Sequence, residues 1–140
     1  MNKIFIDANF IVAIFREIEN NHELAVNTCE TLLNEYDCYI SNAIITEVTT
    51  IMMMRTKNLE LTRKAYYFMI DNFNVLNEYD ITNFNNKVFN VFEKYNPDKF
   101  NLGFTDCSIV ILCDYFNIDC VVSFDKGFKL FDEIKLFSLE

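Results

Sequence analysis

Apolar and polar positions along the chain follow two alternating patterns. Short apolar segments typical of β-strands cover residues 3–7, 38–41, 74–76, 120–124 and 134–137. Between them, apolar residues recur at helical spacing over residues 10–17, 22–36, 42–57, 59–71, 80–95 and 105–116. Strands that alternate with helices predict right-handed βαβ units, so we expect an α/β fold with a central, mainly parallel sheet of about five strands and helices on both faces.

The clearest helical pattern covers residues 80–95. Its apolar residues, which include Ile81, Val88 and Tyr95, fall on one helix face. Pro97 follows just beyond the last of them, as expected where a helix ends. The pattern predicts one continuous amphipathic helix.

The composition is that of one compact domain. With 140 residues, 51% hydrophobic residues and 15 Phe, the chain is long and apolar enough to bury a core. One Pro and two Gly leave no linker, so the sequence predicts a single domain over residues 1–140. No apolar stretch approaches the roughly 20 residues of a membrane helix, and the amino terminus lacks the pattern of a signal peptide. We therefore expect a cytoplasmic protein without a membrane segment.

The chain contains five Cys, an odd number, and no C-x-x-C pair. Since the Cys ligands of zinc usually come closely paired, this pattern favours small buried residues in a reducing compartment over a zinc site. His22, the only histidine, lies in a polar stretch where a helix is expected to begin, which predicts a solvated surface residue. Nothing near it in sequence resembles the partner of a catalytic histidine.

Two acidic residues directly follow predicted strands. Asp7 comes after the apolar run IFI, and Asp125 comes after CVVSF. Because the carboxyl ends of parallel strands meet at one edge of a sheet, we expect both side chains at the same edge, where open sheets form their sites.

Two further acids are expected near that edge. Glu47 lies about one turn into the helix that follows strand 38–41, among apolar neighbours. Asp106 lies in the first turn of another helix, for which we expect Thr105 as the N-cap. Each acid alone has a structural explanation as a turn, cap or solvated residue. Four carboxylates at one edge would repel one another, and a hard divalent cation with a preference for oxygen ligands relieves that repulsion.

These segments resemble the acidic motifs of PIN-domain proteins. The similar segments are, in order, IFIDANF, the Glu in AIITEVTT, LGFTDCSIV and VSFDKGF, and they span the chain from Asp7 to about Phe128. In size and motif order the chain is more narrowly similar to the VapC-type ribonuclease toxins of toxin–antitoxin pairs. The resemblance implies a three-layer α/β/α domain and a metal-dependent endoribonuclease that hydrolyses RNA phosphodiester bonds.

The resemblance also implies the site residues. By position, the acidic cluster and its two polar neighbours would be Asp7, Glu47, Asp106, Asp125, Asn9 and Thr105. A carboxylate-held Mg²⁺ or Mn²⁺ lowers the pKa of bound water and neutralises phosphate oxygens, so no His or Lys base is required. We expect Asp7 and Asp106 as direct metal ligands, and Asp125 as a ligand that binds directly or through water. Glu47 is expected to orient or deprotonate the attacking water, and the site would hold one metal or two.

The net charge of −9 contrasts with the basic surfaces of most nucleic-acid-binding proteins. Part of this excess is the acidic cluster itself. The cations are unevenly spread, and two groups stand out: Arg55, Lys57, Arg63 and Lys64, and the pair Lys126 and Lys129. These groups either hold an RNA backbone locally or are ordinary solvated faces.

Partner surfaces are a further expectation. The stretch IMMM at residues 51–54 is typical of core filling, or of an apolar patch that a partner covers. The family resemblance implies a homodimer and a cognate antitoxin protein that blocks the acidic site.

Two alternatives are weighed against an RNA-cleaving site. A haloacid-dehalogenase-type phosphatase also begins with an apolar strand that ends on Asp, but it needs a second Asp two residues on, where this chain has Asn9. A non-catalytic PIN-like domain that binds RNA or protein is the other alternative. The presence of all four acids argues against it.

Overall fold

The computed structural model describes residues 2–139, and its central feature is a five-stranded parallel sheet. The strands are β1 Asn2–Ile6, β2 Tyr36–Ser41, β3 Asn74–Leu76, β4 Cys120–Val122 and β5 Lys135–Leu136. They lie in the order β3-β2-β1-β4-β5, and every neighbouring pair is parallel. The predicted parallel sheet is therefore confirmed.

Helices cover both faces of this sheet. They are α1 Ala8–Phe15, α2 His22–Glu35, α3 Asn42–Thr56, α4 Leu59–Asn72, α5 Phe84–Tyr95 and α6 Phe104–Tyr115. Helices α1 to α4 pack against one another, and α5 packs against α6. Short 3₁₀ helices cover Glu78–Asp80 and Lys126–Leu130. The result is a three-layer α/β/α fold, as the sequence predicts.

Strand β1 lies at the centre of the core. Its residues Ile4, Phe5 and Ile6 are each at most 1% exposed. They are buried on both sides because β2 and β4 flank the strand within the sheet while helices cover its two faces. Full burial of such a side chain contributes about 1.5–3 kcal/mol. This burial holds the end of β1, and the residue that follows it, in a fixed position.

The predicted start of the helix over residues 80–95 is wrong. The Asn77 side chain accepts a hydrogen bond from the Tyr79 amide at 3.1 Å and closes a 3₁₀ turn there. Asn83 then adopts a left-handed conformation with φ 56°, and α5 begins only at Phe84. Ile81 is 2% exposed although it is not helical, which is why its apolar character extended the helical pattern.

The cysteines are free thiols. Cys29, Cys38, Cys107 and Cys113 are buried and Cys120 is partly buried, in agreement with the predicted role as small apolar residues. Burial raises the pKa of the Cys29 and Cys107 thiols to about 11. Within residues 2–139, no helix is both long and apolar enough to cross a membrane.

The strand order reverses between β1 and β4. From β1 the chain adds β2 and β3 on one side, whereas β4 and β5 lie on the other side. In open parallel sheets, ligand sites lie beyond the carboxyl ends of the strands at such a reversal. Helix α6 leads into β4 from this edge, so its first turn lies there too.

Candidate functional site

Asp7 lies at the reversal point, directly after β1. Its amide donates a hydrogen bond to the Val122 carbonyl of β4 at 2.9 Å. One carboxylate oxygen, Oδ1, accepts from the Ala8 amide at 2.8 Å and caps α1. The other, Oδ2, accepts from the Ser123 hydroxyl at 2.8 Å. The residue is only 6% exposed, so its carboxylate is held at a buried junction of two strands and a helix.

The pKa of Asp7 is raised from 3.8 to about 7. Burial is the largest cause, because it removes water from the charged form. The hydrogen bonds from Ser123 and Ala8 lower the pKa, whereas repulsion from the carboxylates of Asp106 and Glu47 raises it further. Three acids from separate elements therefore influence one another here.

Ser123 orders the loop after β4. The predicted strand over residues 120–124 ends at Val122, so Ser123 and the residues after it leave the sheet. While the Ser123 hydroxyl donates to Asp7, its oxygen accepts from the Asn9 amide group and from the Asp125 backbone amide, both at 3.0 Å. Asn9 also accepts from the Phe124 amide at 3.0 Å. Ser123 is not among the site residues predicted from the sequence. The only signal for it there is a small hydroxyl residue between a strand and a candidate acid.

Glu47 lies in α3, half-buried and about one turn from the start of the helix. Its pKa is raised, first by burial and then by repulsion from Asp106. The expected position beside the other acids is therefore the observed one. A raised pKa makes a carboxylate a better proton acceptor.

Asp106 lies in the first turn of α6, but the expected N-cap is wrong. Gly103 occupies the N-cap position, and Asp106 Oδ2 accepts a hydrogen bond from the Gly103 amide at 3.1 Å. Thr105 is the second residue of the helix, because the helix begins one residue earlier than predicted. Burial raises the pKa of Asp106, the Gly103 bond lowers it, and the negative charge of Asp125 raises it.

Asp125 is the exposed member of the group. Its Oδ1 accepts from the Gly127 amide at 2.8 Å and caps the 3₁₀ helix that follows. The hydrogen bond between its own amide and Ser123 links it to the side chain that also holds Asp7. Asp125 therefore lies on the solvent side of the acidic group.

The four acids have no ion-pair partner among residues 2–139. Among residues 2–139, no Lys or Arg forms an ion pair with any of them. In the same range, no three His, Cys, Asp or Glu side chains lie close enough to hold one metal ion directly. The donor set fits Mg²⁺ or Mn²⁺ bound by one or two carboxylates and completed by water, because such hard ions prefer oxygen and Mg²⁺ usually retains several waters.

A fifth acid at this edge has a structural role that sequence reasoning missed. Glu78, 4% exposed, follows β3 and reaches the first residues of α3. Its Oε1 accepts from the Asn42 backbone and side-chain amides at 3.0 and 3.1 Å, and its Oε2 accepts from the Ala43 amide at 2.8 Å. The Glu78 carboxylate thus satisfies free amides at the start of the helix that carries Glu47.

Glu78→Gln should lower the free energy of unfolding by about 1–3 kcal/mol, because the new NH₂ group faces a partly buried donor and leaves it unsatisfied. Chemical denaturation measures this loss. Glu93→Gln, the same change at an exposed position of α5, should have little effect. Equal stabilities of the two variants would show that the Glu78 contacts do not stabilise the fold.

His22 is not the solvated residue predicted from the sequence. It is partly buried, and its Nδ1 lies 2.7 Å from the Ala13 carbonyl oxygen, to which it donates a hydrogen bond. The ring thus ties the start of α2 to α1, a contact between residues that are nine positions apart.

A parallel sheet between two layers of helices, with four acids near the point where the strand order reverses, defines the class of this protein. The family model described as PIN domain matches residues 4–134, nearly the whole chain, and the protein belongs to that family. The resemblance stated from the acidic motifs is thereby confirmed. No curated protein matches the sequence.

Solved structures of VapC-type proteins share the fold. VapC20 of Mycobacterium tuberculosis, a toxin that cleaves the sarcin–ricin loop, matches with a TM-score of 0.78 at 14% identity, over 94% of this chain and 97% of that one. VapBC2 from Rickettsia felis, bound to a promoter DNA fragment, gives a TM-score of 0.75 at 13% identity over 96% and 97%. DNA-bound VapBC from Salmonella typhimurium gives 0.71 at 16% identity over 98% of both chains.

Proposed function

We propose that this protein is a Mg²⁺- or Mn²⁺-dependent endoribonuclease, the toxin of a toxin–antitoxin pair, with one nuclease domain over residues 1–140. The observation that carries the proposal is the buried carboxylate of Asp7 at the strand-order reversal. Two other carboxylates repel it, and among residues 2–139 no Lys or Arg forms an ion pair with it. Carboxylates clustered in this way repel one another, and a bound divalent cation would offset that repulsion.

Each acid has a proposed role. Asp7 and Asp106 hold the metal directly. The exposed Asp125 holds it through water, because within residues 2–139 no three such side chains lie close enough to bind one ion directly. When bound, the metal lowers the pKa of a coordinated water and neutralises phosphate oxygens. Glu47 accepts a proton from the attacking water, in keeping with its raised pKa. One metal or two would satisfy these roles.

The polar neighbours have supporting roles. Asn9 and Ser123 fix the orientation of the Asp7 carboxylate through the hydrogen bonds described above. Thr105 lines a groove beside Glu47 and Asp106, where it can contact the RNA backbone.

Membership of the PIN domain family removes the haloacid-dehalogenase alternative. The structure also gives Asn9 a different task from the second Asp of such a phosphatase, because both ends of its amide group bind the loop after β4. The remaining alternative is a PIN-like domain that binds RNA or protein without cleaving it.

The proposed partners are RNA, an antitoxin and a second copy of the chain. Several similar structures are toxin–antitoxin complexes, among them VapBC from Salmonella typhimurium and a complex from Klebsiella pneumoniae. Exposed apolar side chains on α3 and α4 support a protein partner: Met53, Met54, Leu59, Tyr66, Tyr67 and Ile70. Light scattering after size-exclusion chromatography would test the homodimer.

Incubation of the purified protein with labelled RNA tests the proposed activity. We expect cleavage with Mg²⁺ or Mn²⁺, no cleavage in excess chelator, and recovery when metal is added back. A diverse RNA pool should be used, since the target sequence is unknown. Cleavage that persists in excess chelator would contradict the metal mechanism. A folded protein that cleaves no RNA in the pool with either metal would favour the non-catalytic alternative.

A further inference from the structure

We propose that single-stranded RNA crosses the acidic site over Phe124, with its phosphates contacting Lys126 and Lys129 on one side and Arg55 on the other. This inference rests on the proposed function and specifies how an acidic chain holds its substrate. It assigns roles to three of the twelve Lys and Arg residues of the chain.

A first cavity, of about 390 Å³, lies beside the loop after β4. Its walls include Ser123, Phe124, Lys126 and Lys129. Ser123 also donates the hydrogen bond to Asp7, which links one wall of this cavity to the buried carboxylate. The two Lys side chains are exposed and therefore free to meet a phosphate here.

A second cavity, of about 250 Å³, shares Phe124 with the first. Its walls include Asn9, Glu47, Arg55 and Phe124. It therefore places a guanidinium in the same space as the proposed proton acceptor, Glu47. Arginine binds phosphate oxygens through two parallel hydrogen bonds, which suits it to fix a backbone at this point.

Phe124 is the common wall of the two cavities, and its position is fixed. Its amide donates to the Asn9 side chain, and its ring stacks on Phe10 with the ring centres 5.6 Å apart. We expect a strand that occupies both cavities to contact Phe124. Aromatic side chains stack on unpaired bases with little sequence preference.

The location of these cations explains how a protein with a net charge of −9 can bind RNA. Four carboxylates repel the phosphates on either side of the one that is cleaved. Cations in the two flanking cavities offset this repulsion where it arises, without a basic face over the whole protein. The surface as a whole can remain acidic.

Arg55 is only loosely held in the free protein. Glu19 lies 2.6 Å from the Arg16 guanidinium and 3.6 Å from that of Arg55, whose side chain is 51% exposed. Since Arg16 has the closer contact with Glu19, Arg55 can turn to a phosphate at low cost. Glu19 thus competes with RNA for Arg55.

The recessed position of Asp7 favours a single strand over a duplex. With Asp7 only 6% exposed, the phosphate to be cleaved must enter a recessed space to reach this carboxylate. An unpaired strand can splay its bases and bend its backbone into this space, whereas a rigid A-form duplex holds its phosphates on a fixed path.

Fluorescence anisotropy with a short labelled RNA of random sequence tests the inference. All proteins carry Asp106→Asn, so that the RNA is not cleaved during the measurement. We expect Arg55→Gln, and separately the pair Lys126→Gln with Lys129→Gln, to weaken binding several-fold. Each lost phosphate contact should reduce the slope of log Kd against log salt by about 0.7. Glu19→Gln should strengthen binding, because it releases Arg55.

The matched control is the pair Arg63→Gln with Lys64→Gln, which removes two neighbouring exposed cations from α4. We expect it to leave Kd and the salt slope nearly unchanged, and we expect a duplex of the same length to bind more weakly. Three outcomes would each overturn the inference. They are an equal loss of RNA affinity in the control and test variants, equal affinity for the duplex and the single strand, or no RNA binding by the Asp106→Asn protein. RNA binding through these cations without cleavage by the wild type would instead refute the proposed function alone.

Discussion

Asp7→Asn should lower the rate of RNA cleavage by roughly a hundredfold or more, and Asp106→Asn should have a similar effect. Each change removes one anionic oxygen from a cation that needs several, and a metal-held phosphate contributes several kcal/mol to the stability of the transition state. A loss of about 3 kcal/mol corresponds to this factor. Single-turnover rates with labelled RNA at saturating Mg²⁺ measure it.

Asp119→Asn is the control for this comparison. Asp119 is exposed and directly precedes β4, so it lies at the opposite edge of the sheet from Asp7. Asp119→Asn changes the net charge by the same amount as Asp7→Asn and leaves the acidic cluster intact. This variant should therefore cleave RNA at the wild-type rate. If Asp7→Asn cleaved RNA as fast as Asp119→Asn, the role of Asp7 in catalysis would be refuted.

In chelator, Asp7→Asn should gain stability relative to the wild type as the pH rises. The folded wild type holds a proton on Asp7 up to about pH 7, whereas the unfolded chain releases it near pH 3.8. The folded state therefore binds more protons between these values, and the wild type loses stability as the pH rises through this interval. Each pKa unit is worth about 1.4 kcal/mol, so the loss is of the order of a few kcal/mol. The Asn variant lacks this loss.

The absolute stability of Asp7→Asn includes an opposing effect. Asn can still accept the Ala8 amide, but its NH₂ group then faces the Ser123 oxygen, which already accepts two hydrogen bonds. An unsatisfied donor of this kind costs about 1–3 kcal/mol. The pH dependence of the difference from wild type is therefore the decisive quantity, and chemical denaturation in chelator across this pH range measures it.

Magnesium should reverse the stability difference between Asp7→Asn and the wild type. A ligand bound only by the folded state stabilises it by RT ln(1 + [L]/Kd), about 2.7 kcal/mol at a hundredfold excess over Kd. The wild type and Asp119→Asn should gain this stabilisation, and Asp7→Asn should gain less. Asp106→Asn is less informative, because it also weakens the contact with the Gly103 amide at the start of α6. An Asp7→Asn protein that shows the wild-type pH profile and the wild-type response to Mg²⁺ would identify Asp7 as a structural cap only.

The sheet and the edge that carries the acids follow from local sequence signals. Apolar strands such as residues 3–7 end directly on a carboxylate, and strand–helix alternation leaves few arrangements other than a parallel sheet. Parallel strands then bring the residues after β1 and β4 together, although 116 positions separate Asp7 from Ser123. For this reason the pattern alone indicated a shared edge for Asp7 and Asp125.

The contacts that orient the site have no such local signal. Ser123 and Glu78 act through hydrogen bonds to residues 116 and 36 positions away, and which donor each one meets depends on strand register and helix position. The prediction of Thr105 as the N-cap of α6 is wrong for the same reason. Thr, Asp and Gly all occur before the apolar run of α6, and only the folded loop places Gly103 at the cap.

Calorimetric titration with Mn²⁺ tests most directly whether Asp7 belongs to a metal site. We expect the wild type and Asp119→Asn to bind Mn²⁺ saturably with the same affinity, and Asp7→Asn to bind it at least about tenfold more weakly, a difference of about 1.4 kcal/mol. Equal Mn²⁺ affinities of Asp7→Asn and the wild type would contradict the assignment of Asp7 as a metal ligand.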